Sequence, residues 1–271
     1  MTEDNRKQPI LAFDTSTAAL AAAIISGDEV LGEIQSFAER NHSVYIVTHL
    51  KQLLADCGVT EELLGAIAVG NGPGSYTGMR IAVSAAKTLA WVWNKPLIGV
   101  SSLEALAYGG WHHAARDESA TLASVQQEGS AEWVLPIMDA RRGQVYTGGY
   151  IMTAAGGWSQ FAEDRIVLMK DWVEHVAALA AEPSANVARI WVAGDLSLHE
   201  AEAIRLRQLV EEAGIEVRLL TYELEGRWVA QLGSEKLRNG ELSDTHMLIP
   251  NYTQLTEAER LLSAKSVEER P

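Results

Sequence analysis

A single cysteine, Cys57, stands among 271 residues, so the chain cannot close a disulfide on itself. That suits a reducing compartment, and the cytoplasm is the expected location. Long apolar runs are missing too. No stretch approaches the ~18 residues that span a bilayer. The opening MTEDNRKQPI is too polar for the core of a secretion signal, so no membrane partner is expected. Basic residues are scarce: 22 Lys and Arg stand against 36 Asp and Glu, a formal charge of −14. Such a chain is not the main grip on a nucleic acid, because phosphate contacts need cations. It can still serve RNA chemistry when a basic partner holds the RNA.

Familiar chemical signatures are absent as well. In a phosphate loop four residues separate two glycines, and Lys then Ser or Thr follow. Here five residues separate Gly72 from Gly78, and Met79-Arg80 follows. The dinucleotide fingerprint fails at Thr77, where its third glycine is due. His42 and His49 are seven apart, whereas helical metal pairs sit four apart. His175, His199 and His246 are isolated and read as surface residues. No nucleophile elbow or Ser-His-Asp spacing stands out.

What is present is a chain rich enough in apolar residues, 47%, to bury a sizeable core. Apolar runs at Ile10–Thr15, Leu20–Ile25 and Val30–Phe37, with Gly27-Asp28 between the last two, predict three antiparallel strands. A helix is expected over Ser43–Asp56, a buried strand over Leu64–Gly70, then a glycine loop and a helix to Trp91. Leu97–Val100 predicts a strand, and Ser101-Ser102 cap a helix through Trp111. Ala114–Ala131 is polar and reads as an insertion or mobile loop. Trp133–Asp139 and Gln144–Ile151 predict a hairpin, with the charges near Asp139 salt-bridged within it. Helices follow at Asp171–Ala181, His199–Ala213 and Arg227–Asn239, the last two closed by Gly214 and Gly240. Arg189–Ala193 and Val217–Leu220 predict strands between them. The tail Leu255–Pro271 carries leucines at helical spacing. Strand-then-helix order recurs, so two α/β lobes with mixed sheets are expected.

Two stretches invite chemistry. Asp14 ends the first strand, where it either caps a turn or helps hold metal and phosphate. The glycine loop opens a helix, whose free N–H groups favour anions. That makes Asp14, Thr15, Gly72 and Gly74 a weaker nucleotide-binding set. In the same helix Gly78, Ala82 and Ala86 recur every four residues, a small-residue ridge that lets another helix approach. It serves either the core or a four-helix contact between subunits.

The segments ILAFDTST, NHSVYIVTHLKQLL, GNGPGSYTGMRIAVSAAKTLAW, PLIGVSSLEALA and MDARRGQVYTGGY together resemble the TsaB (YeaZ) family. PNYTQLTEAER near the end is similar to the family's closing segment but carries Thr253-Gln254 where Leu-Arg is usual. The resemblance implies a two-lobed actin/Hsp70/sugar-kinase (ASKHA) α/β fold. Residues 1–110 with about 221–271 would form one lobe, and 111–220 a smaller second. It implies a non-catalytic subunit in the making of threonylcarbamoyladenosine on tRNA. The catalytic relative TsaD carries two metal-binding histidines; the matching positions here are Ser102 and Leu106, so no metal and no tightly bound cofactor are expected. ATP would be used by the wider complex. The implied partners are TsaD and the ATPase TsaE, with tRNA reached through them and a homodimer as the alternative when alone. The implied interface comprises Val44, Val47, His49 and Leu50 of the first helix with Gly74, Tyr76, Thr77, Gly78, Arg80, Ala82 and Ala86. A stand-alone superfamily ATPase or kinase, and a metallopeptidase, are the rival readings.

Overall fold

The computed structural model describes residues 8–37, 42–117, 130–182 and 184–253. Three strands open it as an antiparallel meander: β1 (Ile10–Asp14), β2 (Leu20–Ser26) and β3 (Glu29–Ser36). Gly27, at φ +62°, makes the turn that only a residue without Cβ enters freely. Helix α1 (His42–Asp56) returns the chain to β4 (Ala66–Gly70), parallel to β1. Helix α2 (Tyr76–Val92) then leads to β5 (Leu97–Val100), parallel to β4. The sheet order is β3-β2-β1-β4-β5.

Helix α3 (Ser102–Asp117) crosses to a second set of strands. These are β6 (Ala131–Asp139), β7 (Gln144–Thr153) and β8 (Trp158–Leu168), again an antiparallel meander. Helix α4 (Met169–Ala180), β9 (Val187–Gly194), α5 (Glu200–Val210) and β10 (Glu216–Thr221) follow, with β9 parallel to β6 and β10 to β9. The order β10-β9-β6-β7-β8 repeats the first sheet strand for strand. Helix α6 (Gly226–Asn239) then returns to the first sheet. The duplicated topology is the two-lobed α/β architecture that the resemblance implies.

The central strands of the first sheet are apolar apart from Asp14 at the end of β1, because both faces are covered. Leu11, Phe13, Ile67 and Val69 face α1 and α2, whereas Ile10, Ala12, Ala66 and Ala68 face α6. Alanine on the second face matches glycine on the helix. A Cβ on Gly233 would lie 2.5 Å from that of Ala68, so α6 rides close on the sheet. α3 covers the inner face of the second sheet and packs on α6, while α4 and α5 cover its outer face. Between the lobes Tyr222 N–H donates to the Gly194 carbonyl at 3.3 Å and Trp228 Nε1 to the Tyr222 hydroxyl at 2.8 Å.

Some expectations change. α3 runs on to Asp117, so the lobe boundary near 110 falls inside a continuous helix that lies on the second sheet. Residues 114–117 of the expected insertion are its last turn and Ala131 starts β6; 118–129 lie outside the described residues, as does the tail from 254. β8 was not expected: it is a sheet edge, and its half-exposed side chains give no clean alternation. Among the described residues no helix is long and apolar enough to cross a membrane.

Candidate functional site

The turn after β1 and the glycine loop after β4 form one unit. Asp14 is 1% exposed. Its Oδ1 accepts from Ser16 N–H at 2.5 Å and Ser16 Oγ at 2.6 Å, and its Oδ2 accepts from Ser102 Oγ at the start of α3. Ser102 Oγ in turn accepts Gly72 N–H at 3.0 Å, and Ser102 N–H donates to the Gly72 carbonyl at 3.0 Å. Thr15 Oγ1 donates to the Gly78 carbonyl at 2.6 Å, and Ser75 N–H donates to the Ser16 carbonyl at 2.7 Å. The glycines permit this contact. A Cβ would lie 2.6 Å from the Ser16 oxygen at Gly74, 1.8 Å from the Thr15 oxygen at Gly78, and 1.6 Å from Asp14 Oδ2 at Gly70. Gly72 has φ +96°, where a side chain is strained.

The polar groups of Asp14 and Thr15 are engaged within the turn and loop, and Gly72 and Gly74 are buried. Burial pushes the Asp14 carboxyl above its ordinary 3.8, although the Ser102 and Ser16 hydrogen bonds pull it down. A raised carboxyl favours the protonated form in the fold. Stability from this group is therefore greatest below pH 3.8 and declines as pH rises through the raised value. Asp14→Asn is expected to remove that decline and to stay within about 1 kcal/mol of the parent at pH 7, while Asp14→Ala costs about 3 kcal/mol by orphaning buried donors. Urea titrations at several pH values read both.

The small-residue ridge needs correction. Ala82 and Ala86 are fully buried against the chain's own sheet, in the cluster that holds Phe13 and Val69, and Gly78 is buried against Thr15. Leu50 is 1% exposed in the same cluster. Four-residue spacing of small residues serves a close helix–sheet contact as well as a helix–helix one, so spacing alone does not choose the side. The outer face of α2 instead carries Tyr76, Thr77, Arg80, Ser84, Thr88, Trp91 and Val92, all exposed; Trp91 is 68% and Val92 61% exposed. Beside it α1, packed on α2, exposes Val47 and half-exposes His49. The side chain of Val44 lies outside the described residues.

Arg80 sits in an exposed aromatic clasp. Its Cζ lies 4.3 Å from the Tyr76 ring centre, and its Nε donates to the Tyr252 hydroxyl at 2.9 Å. Tyr252 ends a segment strapped along α2 and β5. Ser243 N–H donates to the Leu97 carbonyl at 2.8 Å, and Lys87 Nζ to the carbonyls of His246 and Leu248, each at 3.0 Å. Met247 and Ile249 on this strap are exposed.

A cleft of about 650 Å³ separates the lobes, lined by Ser16, Thr17, Ser75 and Thr77 on one side and by Asp139, Arg141 and Asp195 on the other. Asp139 is not salt-bridged within its hairpin. It meets Nε2 of His199 at 2.8 Å, and His199 is 3% exposed, not a surface histidine. The two are 60 residues apart in sequence, and nothing in the pattern links them. Glu223 also lines the cleft, and burial with the nearby Asp195 charge raises its carboxyl. Ser102 is bonded to Asp14, and Leu106, 2% exposed, offers no lone pair. These residues do not fit a transition metal.

A sequence model of the TsaD family, tRNA N6-adenosine threonylcarbamoyltransferase, matches residues 28–198. The Bacillus subtilis protein named tRNA threonylcarbamoyladenosine biosynthesis protein TsaB is 36% identical over 254 residues, 92% of this chain and 96% of that one. The chain belongs to the TsaB family. The TsaB protein of Escherichia coli is 31% identical over 166 residues, 61% of this chain and 64% of the relative. The solved YeaZ structure from Pseudomonas aeruginosa superposes with a TM-score of 0.66 over 90% of this chain and 99% of that one; at 24% identity it speaks for the fold. In this TsaB-family chain, sequence reasoning missed Tyr252 and the apolar strap. Their signal was weak, since PNYT carries no periodicity and the partners on α2 are more than 150 residues away.

Proposed function

We propose that the chain is a non-catalytic subunit of a complex that makes threonylcarbamoyladenosine on tRNA. It docks on a TsaD-type transferase through the outer faces of α1 and α2, and that contact stabilises the transferase. A TsaE-type ATPase joins the pair and accounts for ATP use, tRNA is engaged through the assembly in the cytoplasm, and two copies pair by the same face when the partner is missing. One observation carries the reading: Val47, Tyr76, Trp91 and Val92 are exposed on the paired helices. Exposed aromatic and apolar side chains grouped on one face mark docking surfaces. Ser102 and Leu106 support the non-catalytic part, since neither serves as a metal ligand.

The test is copurification with the TsaD-type partner. Val47→Glu with Tyr76→Ala is expected to weaken it about 100-fold, at an unchanged melting temperature. Wild-type capture by the double variant defeats the docking face. Turnover of ATP, or modification of tRNA, by the isolated chain defeats the non-catalytic role.

A further inference from the structure

We propose that Arg141 and Arg142, at the tip of the β6–β7 hairpin, contact backbone phosphates of the tRNA on which the complex acts. The inference rests on the subunit role proposed above.

The tip is built against local preference. Arg141 has φ +65°, Arg142 +54° and Gly143 +73°. Tight hairpins of this hand favour Asn-Gly, because side chains resist the left-handed region. Here the hydrogen-bonded turn centres on Arg142-Gly143, so an arginine takes the asparagine position, and Arg141 before it is left-handed as well. The turn is nonetheless fixed: Ala140 N–H donates to the Gln144 carbonyl and Gln144 N–H to the Arg141 carbonyl, each at 2.9 Å. Its base is braced by Met169 N–H on the Gly143 carbonyl, 2.9 Å, and by the Asp139–His199 contact. A strained but rigid tip that points charge outward suggests a role outside the fold.

Both arginines are exposed. Among the described residues neither guanidinium is hydrogen-bonded or ion-paired, whereas Arg189, Arg205 and Arg218 of the same lobe each hold a carboxylate. In a chain of charge −14, carboxylates are the common partner, yet among the described residues neither arginine forms an ion pair with one. An external anion completes it. Across the cleft mouth lie the hydroxyl residues Ser16, Thr17, Ser75 and Thr77, with Tyr76 beside them and Leu106, Ile137 and Met138 in the walls. Hydroxyls add hydrogen bonds to a phosphate, and tRNA is the polyanion that the proposed complex handles. Asp195 and Glu223 line the cleft behind the tip, so a polyanion meets the arginines at the rim and goes no deeper. Guanidinium binds phosphate by paired charge-assisted hydrogen bonds, without regard to base sequence.

The experiment uses the complex reconstituted with its TsaD-type partner and an unmodified tRNA transcript. Copurification is scored first, so a failure of the subunit role is seen separately. Arg141→Asn with Arg142→Gly is expected to weaken tRNA binding about 10-fold near 0.1 M salt and to reduce the slope of log affinity against log salt by about 2. The same variant relieves the turn, so its melting temperature should rise, which separates lost contact from lost fold. Arg141→Lys with Arg142→Lys should restore most of the slope. Unchanged affinity and slope in an intact complex overturn the proposal. So does weakened partner binding with tRNA binding intact, since that assigns the tip to a protein surface.

Discussion

Replacing Gly78 by alanine is expected to cost about 3 kcal/mol or more, read as a lower urea midpoint at unchanged m-value. The sign carries the argument. Gly78 sits in the first turn of α2, and by helix propensity alone alanine there is worth up to ~1 kcal/mol of stabilisation. The added Cβ, however, would lie 1.8 Å from the Thr15 carbonyl oxygen. That oxygen belongs to backbone that cannot retreat. Thr15 Oγ1 holds the Gly78 carbonyl at 2.6 Å, the next carbonyl, of Ser16, holds Ser75 N–H at 2.7 Å, and Asp14 anchors the turn from within. Relief requires the loop to lift off the turn, which exposes Asp14 and breaks these bonds together. A stabilised variant would mean that the turn and the loop are not one packed unit.

The sequence announces this unit only in part. β1 and β4 were legible because a strand covered on both faces is a continuous apolar run, and ILAF and AIAVG are such runs. The glycine loop was legible as a place of close approach. What approaches it was not, because Thr15 and Gly78 are 63 residues apart. The C-caps at Gly214 and Gly240 were readable from glycine alone, and both glycines are left-handed in the fold. β8 escaped because an edge strand with mixed side chains has no period to detect. The duplication of the two sheets was legible as an order of strands and helices and not as repeated sequence. Shared topology needs similar patterns of burial, and many different residues meet those.

Which face of α2 would meet the proposed partner was the costliest ambiguity, and Ala82→Glu against Ser84→Glu resolves it. Both changes place one carboxylate on the same helix, two residues apart. Position 82 is fully buried among β-sheet and α1 side chains, with no cation in that cluster. An unpaired carboxylate there costs several kcal/mol, or is kept neutral at a similar cost. Against a typical total of 5–15 kcal/mol, that takes most of the chain's stability. Ala82→Glu is therefore expected to unfold the chain, or to lower its melting temperature by well over 10 °C, with or without a partner. Position 84 is exposed on the outer face between Arg80 and Thr88. A carboxylate there stays hydrated in the free chain and leaves its melting temperature within about 2 °C of the parent. Covering that face buries the charge, so Ser84→Glu is expected to weaken capture of the TsaD-type partner about 30-fold or more. The opposite pattern, with Ala82→Glu folded and deficient only in capture, would return the small-residue ridge to the interface and require α2 to turn its other side outward.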